Sequence, residues 1–363
     1  MTDGPRVRKA FNGKGSATVA VMIFPRLTRA ALAAVLTLGL GTGAAAAAPD
    51  SPPVPVVFDG DMDFDDAATL AYLCQAHEQH HIDLRAVTVT NNGSGTPGRA
   101  LTHTRGILDR CGLRIPVADG SDTGVHAPPP DARAFTETVL TGALDDAGVP
   151  DRPSPIPAWQ LLAGTVLTSP HPVVVVATGP LTNVARALEV PGVAARISRL
   201  SVMGGAFSAP GNVSAEGFDG SQETNFWLDP ASAARVFSAL PHRVEDVPLD
   251  ATDDVPIDQS FVDRIGTART PEAKLVYTIM TQPDVAAGIA AGLGYWWDPL
   301  AASDVVDPVN PVQLSEKRVR VVQDGAASGR TVADDGGTPL RVGVHADAAQ
   351  FERGYLAMLE GRA

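Results

Sequence analysis

The segment Asp59-Gly-Asp61-Met-Asp63-Phe-Asp65-Asp66 places five carboxylates in eight residues directly behind the apolar run Val54-Pro-Val-Val-Phe58. Carboxylates this close repel one another and hold on to protons unless a cation neutralises them or they spread into water. Strong helix formers follow from Ala67 to Cys74, so the acids stand between a strand and a helix. In open α/β sheets that junction, at the carboxyl end of a strand, is where ligands bind. Its position favours half of a metal site over a solvated acidic loop.

The rest of the chain repeats this arrangement. Apolar, β-branched runs recur at Val54 to Phe58, Leu84 to Thr90, Ile115 to Ala118, Val173 to Thr178, Leu200 to Met203 and Val244 to Leu249. Helical patterns separate them at Asp66 to His80, Arg99 to Cys111, Ala158 to Leu167, Leu181 to Leu188 and Pro230 to Leu240. Such alternation predicts an open, mostly parallel, Rossmann-like α/β sheet with helices on both faces. A helical stretch from Pro271 to about Ala291 precedes a tail that reads differently. Val319 to Gln323 and Leu340 to Val344 predict a small antiparallel C-terminal element, closed by a helix near Ala346 to Leu359. Pro128-Pro-Pro130 and the stretch from Asp151 to Pro157 read as surface loops.

Residues 1–48 read as a secretory signal peptide, which predicts an exported protein. Arg6, Arg8, Lys9, Lys14, Arg26 and Arg29 precede an apolar run from Ala30 to about Leu40, and small residues up to Ala48 suit cleavage. Met22 can equally serve as the start. That apolar run is shorter than the ~20 residues of a spanning helix, so no membrane association is expected after cleavage. Residues 49–363 are long enough for one α/β domain. Taking six basic residues and one acidic residue from the 28 and 41 of the whole chain leaves 22 against 40, a net charge of −18. A nucleic-acid partner is therefore not expected, while self-association is left open. Cys74 and Cys111, each in a predicted helix, form either one disulfide or two buried thiols. His77, His80 and His81 read as the solvated end of a helix. Asn92-Gly-Ser94 and Asn212-Val-Ser214 match a glycosylation pattern.

Polar residues follow each predicted parallel strand, so one cleft along the sheet edge can collect them. Val173 to Asn183 reads VVVVATGPLTN, a strand, a Gly-Pro turn and a helix start. A carbonyl freed at such a turn is a hard oxygen ligand of the kind calcium takes. Met203-Gly-Gly205, Asn212 and the run Glu223-Thr-Asn225-Phe-Trp-Leu-Asp229-Pro230 offer donors and acceptors for a polyhydroxyl substrate. Tyr295-Trp-Trp-Asp298-Pro299 sets an acid beside two tryptophans, either core residues or an aromatic wall for a flat ligand.

In this order, Asp59-x-Asp61-x-x-x-Asp65-Asp66, TGPLTN, the Met-Gly-Gly, Asn and Glu-x-Asn group and the late Asp-Pro resemble the inosine-uridine preferring nucleoside hydrolase family across nearly all of residues 49–363. The resemblance implies Ca²⁺ held by Asp61, Asp66, the Thr178 carbonyl and Asp298, with Asp61 taking a proton from the attacking water. It implies a small nucleoside substrate whose ribose hydroxyls meet Asp65, Asn225 and either Asn91 or, preferably, Asn92. Asn212, Glu223 and Met203 would surround the 5′ end, and Asp59 would orient its neighbours. Two departures stand out. Met62-Asp63 replaces the family's usual Pro-Gly and adds a charge without an evident partner. Trp297 stands where some members carry the histidine that protonates the leaving base. A purine-preferring subgroup stacks a tryptophan on the base at this place, so purines are expected to be favoured. Competing readings are a non-catalytic ribose-binding protein on the same scaffold and a haloacid dehalogenase-type phosphatase. Asp61 weighs against the first, and Asp63, standing where that class has Thr or Val, weighs against the second.

Overall fold

The computed structural model describes residues 52–307 and 309–363; the expected signal peptide lies outside them. Nine strands form one sheet: β1 (Val54–Gly60), β2 (Ile82–Val89), β3 (Val117–Asp119), β4 (Val173–Ala177), β5 (Ile197–Met203), β6 (Val244–Val247), β7 (Val312–Val321), β8 (Thr331–Ala333) and β9 (Thr338–Ala346). Their order is β3-β2-β1-β4-β5-β6-β9-β7-β8. The strands from β1 to β6 pair in parallel, as does β9 with β6, whereas β7 pairs antiparallel with both β9 and β8. This is the predicted parallel sheet with its antiparallel C-terminal extension.

Both faces of the sheet are covered. Along β1, Val56 and Phe58 join one apolar cluster and Val57 the other, because alternate side chains of a strand point to opposite faces. Continuous Val-rich strands such as β4 are buried at every position, as strands packed on both sides require. At the other end, β7 sets buried valines among the exposed Glu316, Arg318 and Arg320, and these charges discourage further edge pairing. The chain leaves β1 toward β2 and β3 on one side, then returns to place β4 on the other. The crevice beyond the carboxyl ends of β1 and β4 is therefore the topological switch point.

Local chemistry explains where the structure departs from the predicted elements. The stretch from Pro271 divides into helices Pro271–Met280 and Pro283–Ala290. Pro283 has no N–H to continue the first helix, and Gln282 before it is extended (ψ 140°). Pro128-Pro-Pro130 is not wholly loop, since Pro130 opens the helix Pro130–Leu144 and fixes its φ at the first turn. A further helix, Trp297–Val306, begins at the late aromatic segment. Cys74 and Cys111 are both buried and unbridged. Burial, with Cys111 alongside, pushes the Cys74 thiol well up.

One buried polar cluster lies apart from the crevice. Glu245 on β6 binds Arg199 at 3.0 Å and also Arg341. Asp304 lies beside Glu245, and burial followed by that neighbouring charge pushes its carboxyl up to about 8. An acid whose pKa is raised in the fold stabilises the fold fully below its unfolded value and loses that contribution as pH climbs through the folded one. The contribution is therefore lost between about pH 4 and 8. Asp304→Asn mimics the protonated form, so the variant should gain Tm relative to the parent as pH rises across that window. A gap that stays constant from pH 4 to 8 in thermal melts would remove Asp304 as the titrating group.

Candidate functional site

The acidic segment is built as a helix start. Asp63 caps the helix Phe64–Glu78: its Oδ1 accepts the Phe64 N–H at 2.7 Å, and the Asp66 carboxylate accepts the Asp63 N–H at 2.9 Å. Such caps are worth ~0.5–2 kcal/mol. Thr136, on the helix Pro130–Leu144, donates to the same Asp63 oxygen at 2.7 Å, and the Ser94 side chain is a further partner. These hydroxyls and N–H groups are the partners of the extra charge. Met62 takes a φ of 59°, a left-handed backbone rarely used by side-chain-bearing residues, and its fully buried side chain holds that turn by packing.

Behind the cap, carboxylates and backbone pack too tightly for any side chain. A Cβ at Gly60 would overlap the Asp66 carboxylate, and one at Gly93 would overlap that of Asp61. Asp61 accepts the Ser94 N–H at 2.5 Å. Thr178 donates its hydroxyl to Asp66 at 2.5 Å, and Asp65 accepts the Asp298 N–H. Asp65 and Asp66 lie in the first turn of one helix and Asp298 in the first turn of another, where helix dipoles favour negative charge. Asp59 accepts from Thr88 at 2.6 Å and Asn183 at 2.9 Å, which fixes it beneath the cluster.

Among the described residues these acids have no paired counter-charge, although the Arg133 guanidinium interacts with the Asp61 charge. Among the described residues, no Lys, Arg or His pairs with Asp59, Asp61, Asp63, Asp65, Asp66 or Asp298. Burial first, then the Asp66 and Asp63 charges, pushes Asp61 well above the carboxylate range. Asp66 and Asp59 are pushed up to about 7, each mainly by burial. Asp65 and Asp298 rise for the same reason and through their acidic neighbours. No three acidic, His or Cys side chains of the described residues stand in a ready coordination shell, and Asp61 and Asp66 are instead drawn together as an acid pair. The donor set nonetheless fits a hard divalent cation, because it consists of buried oxygens whose repulsion two positive charges would relieve.

These groups open into a cleft of about 600 Å³, within the ~300–1,000 Å³ of ordinary ligand sites. Asp61, Asp65, Thr178, Met203, Asn212, Glu223, Asn225, Trp297 and Asp298 all line it. Asn225 donates to the Thr178 carbonyl at 2.8 Å and the Met203 carbonyl at 3.2 Å. Glu223 accepts N–H groups of Gly205, Asn225 and Phe226 at 2.8–3.1 Å, and burial pushes its carboxyl up to about 7. Asn212 accepts from the Thr224 N–H and hydroxyl, both at 2.9 Å. Asp66 lies fully buried beneath the cleft.

Other predicted residues are placed elsewhere. Neither Asn91 nor Asn92 lines the cleft. The Asn92 amide bonds Thr90 and Thr182, and that of Asn91 donates to the Gly120 carbonyl at 3.0 Å. Asn92 is fully buried and Asn212 faces the cleft, so neither glycosylation pattern offers a free surface asparagine. His77 accepts the Leu84 N–H through Nδ1 at 3.1 Å. Asp131 and Phe135 also line the cleft; they were missed because no helix was predicted after Pro128-Pro-Pro130, which was read as a surface loop. Pro130 followed by an acid was the signal for its first turn.

Against this geometry, the model of the family described as inosine-uridine preferring nucleoside hydrolase matches residues 56–353. The chain belongs to that family. It is 31% identical over 233 residues to the pyrimidine-specific ribonucleoside hydrolase RihA of Citrobacter koseri, covering 62% of this chain and 70% of that protein. Identity to the non-specific ribonucleoside hydrolase RihC of Klebsiella pneumoniae is 30% over 185 residues, 51% and 58% of the two chains. Among solved structures, the inosine-uridine preferring nucleoside hydrolase of Bacillus anthracis superposes with a TM-score of 0.73 at 27% identity, over 85% of this chain and 99% of that one. The family cleaves the N-glycosidic bond of ribonucleosides.

Proposed function

We propose that the protein is an exported, Ca²⁺-dependent nucleoside hydrolase that releases ribose and free base, with purine nucleosides favoured. The observation that carries this reading is one cleft holding a buried, uncompensated carboxylate cluster on one side and the Asn212, Glu223 and Asn225 group on the other. Asp61, Asp66, the Thr178 carbonyl and Asp298 would hold the cation, which when bound supplies charge that ionises the carboxylates and acidifies water. Asp61, oriented by the Ser94 N–H, accepts the proton of the water that attacks the anomeric carbon. Asp65 and Asn225 hold ribose hydroxyls, and Asn212 and Glu223 bound the 5′ end. The N-terminal 48 residues support export, and no described helix is long and apolar enough to cross a membrane.

Purine preference rests on Trp297. Its ring meets Tyr295 at 5.6 Å and Phe64 at 6.4 Å between centroids, forming a wall on which a base can stack. Purines can take up a proton on the ring as they leave. Kinetics on a nucleoside panel test both the activity and this preference. Inosine, adenosine or guanosine should exceed uridine in kcat/KM by at least about tenfold, ~1.4 kcal/mol of transition-state discrimination. Trp297→Ala should erase most of the difference. Equal rates on uridine and inosine in the parent would reduce Trp297 to packing.

A further inference from the structure

Among the described residues lining it, the leaving-group side of the cleft has acids and aromatic rings but no basic side chain. Phe135, Phe64, Trp297 and Tyr295 form a continuous chain of ring contacts, with centroids 6.0, 6.4 and 5.6 Å apart in turn. Asp131 lies one helical turn before Phe135 on the helix Pro130–Leu144 and also lines the cleft. Its carboxylate is exposed and, among the described residues, enters no hydrogen bond or ion pair. Lys, Arg and His are absent from the described lining. The guanidinium of Arg133, on the same helix, is engaged by the carbonyls of Asn91 at 2.6 Å and Gly93 at 3.1 Å and cannot release a proton near neutrality. The Trp297 indole N–H is buried without a partner.

A neutral base leaving C1′ needs a proton, and no Lys, Arg or His of the described lining is positioned to give one. A base already bearing positive charge needs none. Ring faces attract such a cation, and an unpaired carboxylate beside them adds to that attraction.

We infer that the cleft accepts N-ribosyl cations, namely pyridinium ribosides and N7-alkylated purine ribosides, in preference to their neutral counterparts, with Asp131 and the four rings selecting the charge. This rests on the nucleoside hydrolase reading. Water oxygen bonds to C1′ and gives its proton to Asp61. The C1′–N bond breaks with its electron pair passing to the ring nitrogen, so the base leaves neutral and unprotonated.

The test uses the Ca²⁺-loaded protein and matched pairs, with spontaneous hydrolysis subtracted. N7-methylguanosine should exceed guanosine, and nicotinamide riboside should exceed uridine, by at least about 100-fold in kcat/KM, the lower range of what a positioned acid supplies. As inhibitors of inosine hydrolysis, which reports binding without chemistry on the probe, 1-methylnicotinamide should outdo nicotinamide at least about tenfold. Asp131→Asn should narrow that inhibition ratio. Inosine turnover with parity between charged and neutral partners in both assays overturns this inference and leaves the hydrolase standing. Ribose release from none of the substrates overturns both.

Discussion

Asp61→Asn is expected to fold, to retain ribose affinity, and to lose ~10²–10⁴-fold in kcat, the usual worth of a positioned general base. The amide is isosteric and still accepts the Ser94 N–H that Asp61 accepts at 2.5 Å. It cannot take a proton from water. Removing one of several crowded charges also relieves repulsion with Asp66 and Asp63, both of which push the Asp61 carboxyl up. A loss of turnover through unfolding is therefore not the expected route, and in metal-free protein a Tm at or above that of the parent should accompany the substitution. Unchanged kcat in steady-state assays would assign the base to another residue.

Stripping the protein with a chelator should abolish turnover, and adding back Ca²⁺ should restore it. Without a cation, burial drives the Asp61, Asp65, Asp66 and Asp298 carboxyls toward their protonated forms, and a protonated Asp61 cannot act as a base. The same linkage affects stability. A cation present at 100 times its Kd stabilises the fold by ~2.7 kcal/mol. For a folded region of roughly 310 residues this corresponds to about 4 °C in Tm. Melts with chelator and with graded Ca²⁺ would show the shift; full activity in verified metal-free protein would end the proposal for a metal.

The sheet was legible because both-face burial leaves uninterrupted Val-rich strands such as β4, and because each is followed by a helix pattern. The acidic segment was legible as a site because strand, acids and helix stand in immediate succession. Other features depended on contacts remote in sequence. Asp63 looked like an unpaired fifth charge, since its partner Thr136 lies 73 residues away. The helix carrying Asp131 and Phe135 was obscured by a triple proline, which breaks a helix interior but suits its first turn. Spacing placed an asparagine near the ribose, yet only the structure shows the Asn92 amide turned to Thr90 and Thr182. Trp297 was noticed by its position, while the row of rings beyond it, through Phe64 to Phe135, emerged from packing between three helices.

Hydrolysis of a nucleoside at its glycosidic bond is the activity proposed for this cleft. Chromatographic quantification of ribose and base after incubation of the Ca²⁺-loaded protein with inosine, beside Asp61→Asn as control, is the decisive measurement. Ribose and hypoxanthine are expected in equal amounts from the parent, without added phosphate, and almost none from the variant. Saturable inosine or ribose binding with no product from the parent would contradict it and mark the scaffold as a binding protein.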